Sequence, residues 1–131
     1  MLQCLIIEDA PLNYRIMQGQ ISKMGIQVDI CTNGREALEY CLRCSQLPEL
    51  ILLDGCMPEM DGVSFLRHLR QLPGGHRPYV VFCASSDDGV DIVTALDQGA
   101  QCHFPKPLTR DQIAYALYQT KKRRAPDHMI K

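Results

Sequence analysis

Short apolar runs alternate with segments of helical period along the chain, and that alternation leaves few folds open. The runs are LQCLII (2–7), IQVDIC (26–31), LILL (50–53), YVVFCA (79–84) and QCHF (101–104), each of strand length. Three of them are nearly all apolar, as strands covered on both faces must be. Between them lie stretches with helical spacing. Leu12, Ile16, Ile21 and Met24 line the first; Leu38 and Leu42 line the second. Val63, Leu66 and Leu69 mark the third, Val90, Val93 and Leu96 the fourth, Ile113 and Leu117 the last. The punctuation agrees: Asn33-Gly34 opens the second helix, Pro73-Gly74-Gly75 ends the third, Gly99 follows the fourth, and Thr109 with Gln112 makes a capping box for the fifth. Five such alternations predict an α/β fold, a parallel sheet with helices on both faces. At 131 residues the chain is one domain with a single core system, carried by residues 1–120. The basic stretch at 121–131, KKRRAPDHMIK, lacks periodicity and is expected to fray.

Charge and cysteine content narrow the function. A net charge of −1 gives no basic excess, so neither nucleic acid nor an anionic membrane is expected as partner. No apolar run approaches the roughly 20 residues that cross a bilayer. MLQCLIIEDAP has no basic n-region, so no signal peptide is expected and a cytoplasmic location follows. The 7 cysteines are an odd number; Cys4, Cys31 and Cys83 lie in apolar stretches and read as small buried hydrophobes in a reducing compartment. Cys41-Leu-Arg-Cys44 is a lone CxxC without a second pair, read as part of a helix surface. His68, His76, His103 and His128 share no metal-ligand spacing.

The acids carry the chemistry. In an open parallel sheet, ligands gather at the carboxyl ends of the strands, where the strand order reverses. Glu8 and Asp9 close the first run, and Asp54 closes the third. If those strands are neighbours, three carboxylates converge, which is unfavourable without a cation. A few oxygen ligands with room for water suit Mg²⁺ better than zinc or calcium. Lys106 follows the fifth strand between Pro105 and Pro107, so its ammonium is expected in the same crevice. There it can hold a phosphoryl oxygen, or pair with Asp54 when the site is empty. An aspartate between a metal and a lysine is a suitable nucleophile for phosphoryl transfer, giving an acyl phosphate. The sequence carries no Walker loop, so ATP is not expected as the direct donor.

These residues resemble the response-regulator receiver family of two-component signalling. LILLDGCMPEMDG (50–62) resembles the family's phosphorylation segment, Glu8-Asp9 its acidic pair, and Lys106-Pro107 its lysine and proline. The resemblance implies a flavodoxin-like doubly wound (βα)5 sheet of strand order 2-1-3-4-5. It implies Asp54 as phosphoacceptor, and Mg²⁺ held by Asp9, Asp54 and the backbone carbonyl of Cys56, with Glu8 acting through water. It implies a sensor histidine kinase or phosphotransfer protein as donor and a downstream protein as target. RPYVVFCASSDD is similar to single-domain regulators of the bacterial chemotaxis type. Cys56 and Ser86 fall where the family lines the path of attacking water.

Two positions depart from the family pattern. The switch hydroxyl falls on Ala84, with Ser85 one residue later, and the switch aromatic falls on His103, with Phe104 beside it. A one-residue shift turns a side chain to the other face of a strand, so the neighbours are not automatic substitutes. This keeps open a second reading, a pseudo-receiver that binds a partner without phosphorylation. A dehalogenase-like phosphatase would need an aspartate two residues after Asp54, and that position is Cys56.

Overall fold

The computed structural model describes residues 2–57, 59–85 and 91–124. Five strands alternate with five helices: β1 (Gln3–Ile7), α1 (Pro11–Ser22), β2 (Gln27–Cys31), α2 (Gly34–Arg43), β3 (Leu50–Asp54), α3 (Gly62–Gln71), β4 (Tyr79–Cys83), α4 (Ile92–Asp97), β5 (Cys102–Phe104) and α5 (Arg110–Arg124). The sheet is parallel with strand order β2-β1-β3-β4-β5, so the order reverses between β1 and β3.

Side-chain alternation along the strands divides the core in two. Cys4, Ile6, Leu50, Leu52 and Val81 face one way, onto Met17 and Ile21 of α1 and Ile113 and Leu117 of α5. Leu5, Ile7, Ile51, Leu53 and Phe82 face the other way, onto α2, α3 and α4. Every residue of β3 and β4 is buried, which is why their sequences read as unbroken apolar runs. The helix starts follow the local chemistry. The Asn33 side chain accepts the Glu36 amide at 2.7 Å, and Asp61 accepts that of Ser64 at 2.8 Å. Thr109 and Gln112 form the expected reciprocal box, with bonds of 3.0 and 3.1 Å.

Ile21 of α1, Leu66 and Leu69 of α3, and Ile113 and Leu117 of α5 are buried as expected, but other helix positions differ from the sequence expectation. Leu12 and Ile16 of α1, Leu42 of α2, and Val93 and Leu96 of α4 are all exposed. The buried stripe of α1 runs through Met17 and the expected Ile21, and those of α2 and α4 run through Ala37 and Cys41 and through Ala95. Small residues let α2 and α4 lie close to the sheet, and Leu42, Val93 and Leu96 stand clear of it. Cys41 therefore sits in the core rather than on a helix surface, while Cys44 is half-buried. Cys4, Cys31 and Cys83 are buried as expected, and burial pushes all three thiols up. Residues 121–124, expected to fray with the rest of 121–131, continue α5 to Arg124; the expectations for Val90, Ser86, His128 and the remainder of that stretch lie outside the described residues.

Candidate phosphoacceptor site

Strand register builds the site. Ile7 of β1 pairs with Leu53 of β3, and Asp54 pairs with Cys83 of β4. Glu8, one residue past Ile7, therefore stands beside Asp54 at the carboxyl edge of the sheet. Its amide donates to the Cys31 carbonyl at 3.0 Å, which extends the β1–β2 ladder by one bond. Two glycines let the segment after β3 fold back against the strand. A Cβ on Gly62 would lie 2.8 Å from the Asp54 carbonyl oxygen and 2.9 Å from Gly55 Cα. A Cβ on Gly55 would lie 2.6 Å from the Phe82 ring. Both spacings are too short for any residue but glycine.

Glu8, Asp9 and Asp54 each place a carboxylate oxygen within 4.8 Å of the others. Glu8 and Asp54 are buried, whereas Asp9 is exposed. Lys106 reaches in from the loop after β5, across a cis peptide to Pro107. Its ammonium lies 2.9 Å from Asp54 Oδ1 and 3.9 Å from Glu8 Oε1. The Cys56 amide donates to the same Asp54 Oδ1 at 3.0 Å, and the Ala10 amide donates to Glu8 Oε2 at 3.1 Å. The four side chains singled out in the sequence thus converge from three different crossovers.

One ammonium faces three carboxyl groups, and the imbalance is visible in two places. Burial, then the charge of Asp54, push the Glu8 carboxyl up to about 7, against the opposing pull of the Ala10 amide and Lys106. Glu8 Oε1 and Asp54 Oδ2 are also buried without a hydrogen-bond partner. Buried oxygens of this kind are rare unless a water or an ion satisfies them. Two unsatisfied acidic oxygens, an exposed third carboxylate and no sulfur or imidazole make a donor set that fits a hard divalent cation. Beside them a cavity of about 20 Å³, lined in part by Glu8, Asn13 and Lys106, has room for one water.

The switch positions sit one strand away. Ala84 is fully buried at the end of β4, and its amide donates to the Phe104 carbonyl at 3.2 Å. His103 Nε2 lies 2.8 Å from the Ala84 carbonyl oxygen. No sequence signal pointed to this bond, because its acceptor is backbone. Ser85 is half-buried, and Phe104 meets Tyr115 of α5 edge-to-face at 6.1 Å between ring centroids.

The family model of the response regulator receiver domain matches residues 4–118. The chain belongs to that family. Among curated relatives, the response regulator MprA of Mycolicibacterium vanbaalenii is 30% identical over 126 residues, which cover 96% of this chain and 53% of the relative. The chain spans about half the length of the first relatives it matches. The chemotaxis protein CheY of Bacillus subtilis is 28% identical, over 88% of this chain and 94% of its own length. A response regulator receiver domain from Clostridium thermocellum superposes with a TM-score of 0.84 at 20% identity, covering 94% of this chain and 96% of that one. The receiver domain of the sensor histidine kinase PA1611 from Pseudomonas aeruginosa, solved with a magnesium ion coordinated in its active-site cleft, gives 0.80 at 24% identity, covering 90% and 95%. Receiver domains are signalling modules rather than enzymes acting on a substrate pool. No described helix is long and apolar enough to cross a membrane.

Proposed function

We propose that this receiver domain accepts a phosphoryl group on Asp54 from the phosphohistidine of a histidine kinase or phosphotransfer protein, and signals by changing its contacts with a downstream protein. The observation that carries the reading is the convergence of Asp54 and Lys106 at 2.9 Å beside two buried acidic oxygens without partners. The Asp54 carboxylate attacks phosphorus, a bond from its oxygen to phosphorus forms, and the bond from phosphorus to the donor imidazole breaks. Lys106, already paired with Asp54, holds a phosphoryl oxygen and offsets its charge. Asp9, Asp54 and the Cys56 backbone carbonyl would hold Mg²⁺, with Glu8 acting through water. That cation would neutralise the phosphoryl oxygens and the crowded carboxylates. The likeness to a chemotaxis protein over 94% of that protein's length supports the part of this reading that makes the domain a regulator acting by protein contact.

The bond from His103 to the Ala84 carbonyl favours a second reading. With no switch hydroxyl and a tethered ring, the domain would be a pseudo-receiver with one constitutive conformation. Incubation with acetyl phosphate and Mg²⁺, read by intact mass spectrometry, separates the two. One base-labile phosphoryl group, absent in Asp54→Ala and reduced in Asp9→Asn, is the expected result. No incorporation favours the pseudo-receiver, and phosphate on Ser85 overturns the assignment of Asp54.

A further inference from the structure

A second concavity lies at the opposite pole of the sheet, where β3 and β4 begin. Its volume is about 760 Å³, within the range of sites that take small organic ligands. β3 has 5 residues, so this pole is roughly 15 Å from Asp54 and cannot share its ligand. Leu47 and Pro48, in the loop between α2 and β3, give it an apolar side. Arg77 from the loop before β4, and Thr120 and Arg123 from the last turns of α5, give it a polar one.

Both walls are held in place before any ligand arrives. Arg70 donates to the carbonyls of Gly75, Pro78 and Gly99 at 2.8, 3.0 and 2.6 Å, and so fixes the loop that carries Arg77. Arg123 turns back from α5 onto the carbonyls of His76 and Arg77, at 3.3 and 3.2 Å. On the other wall the Glu49 amide donates to the Gln3 carbonyl at 3.1 Å, and the Glu49 carbonyl accepts from Tyr79 at 2.8 Å. Preformed walls reduce the ordering penalty of binding.

The charge is unbalanced as well. Lys121 and Lys122 complement the carboxyl end of the α5 dipole and need no ligand. Arg123 instead points its guanidinium at the loop that carries Arg77 and that the Arg70 side chain of α3 already holds. Burial, then the Arg123 charge, pull the Arg70 guanidinium down to about 10. Among the described residues that line the cavity, two guanidiniums, Arg77 and Arg123, face one carboxylate, Glu49.

We propose that this cavity binds a small organic phosphate monoester, its phosphate between Arg77 and Arg123 and its organic part against Leu47 and Pro48. The tetrahedral oxygens of a phosphate engage two guanidinium forks where a carboxylate engages one, so the group can bridge Arg77 and Arg123. Phenyl phosphate is a suitable probe because it carries both parts. Titrated into the ¹⁵N-labelled chain without Mg²⁺, it is expected to give saturable amide shifts at residues 45–49, 76–77 and 120–123. Inorganic phosphate is expected to bind the same amides about ten-fold more weakly, and Arg77→Gln with Arg123→Gln to weaken phenyl phosphate about ten-fold. Both arginines are exposed, and the same spectra report whether the variant is folded. Non-saturating shifts spread over the basic surface overturn the proposal. So does undiminished binding in the folded double variant, or equal affinity for the two probes.

Discussion

Glu8 is the residue that pairs worst with its surroundings in the absence of metal. It is 1% exposed, keeps one oxygen without a hydrogen-bond partner, and lies with a carboxylate oxygen within 4.8 Å of one on Asp54. Its carboxyl rises from the ordinary 4.5 to about 7, chiefly through burial. A group whose folded pKa is raised holds its proton more tightly in the folded state, so the native form gains stability below the unfolded value. That stability is lost as pH rises through the folded one. For Glu8 the window runs from about 4.5 to about 7. In the presence of a chelator, the contribution of this residue to stability is therefore expected to fall across that window, by on the order of 2 kcal/mol. Melts of wild type and Glu8→Gln from pH 4 to 8 isolate it, since glutamine cannot titrate. Parallel curves for the two proteins would remove Glu8 as the source. Mg²⁺ affinity is expected to rise over the same window, because the cation competes with the proton.

At the scale of elements, strands are legible in the sequence and helix faces only in part: Ile21, Leu66, Leu69, Ile113 and Leu117 are buried as their spacing predicts. β1, β3 and β4 are buried on both sides, and a run such as LILL has no other reading once Asp54 ends it. In α2 and α4 the buried stripe falls on small residues rather than on the large apolar ones. In α2 the buried positions are Ala37 and Cys41, while Leu42 stands in solvent. In α4 the buried residue is Ala95, and Val93 and Leu96 are exposed. Periodicity finds a helix, but closeness to the sheet decides which side chains fit beneath it. The coupling between β4 and β5 was legible only as a departure: sequence showed a missing hydroxyl at Ala84, and the structure supplies a bond from His103 to the carbonyl of the same residue. A methyl group cannot follow a phosphoryl oxygen, so phosphorylation would favour an active conformation only through smaller differential contacts. Beryllofluoride with Mg²⁺ is thus expected to shift the amides of α4, β5 and α5 modestly. Ala84→Ser, which restores a hydroxyl worth roughly 1.5–3 kcal/mol when it meets a charged group, should enlarge those shifts. His103→Phe should also enlarge them, by removing the tether. A large response in wild type that neither substitution alters would show that the switch runs elsewhere.

Across the molecule, the site exists only when the whole sheet is assembled, because Glu8, Asp54 and Lys106 belong to separate crossovers. The sequence signalled each residue through its place after a strand, and adjacency of β1 and β3 brought them together. What the sequence left out was the balance between attraction and repulsion, which depends on distances. Asp54 has an ion pair with Lys106 at 2.9 Å on one side and two carboxyl neighbours on the other. Asparagine at this position keeps an oxygen that can accept from Lys106 and from the Cys56 amide, yet carries no charge. Glu8, 3.9 Å from the ammonium, remains to pair with Lys106. Losing one attraction while removing two repulsions leaves a net gain, set here at about 1 kcal/mol. Asp54→Asn is accordingly expected to melt roughly 3–5 °C above wild type in chelator. The order should close or invert when Mg²⁺ is added, since only wild type then gains the full cation ligand set. Calorimetry in the two buffers measures both differences. A lower melting temperature for Asp54→Asn in chelator would mean that the Lys106 pair outweighs the crowding of acids. The native site would then be held together by its lysine rather than strained in wait for a metal.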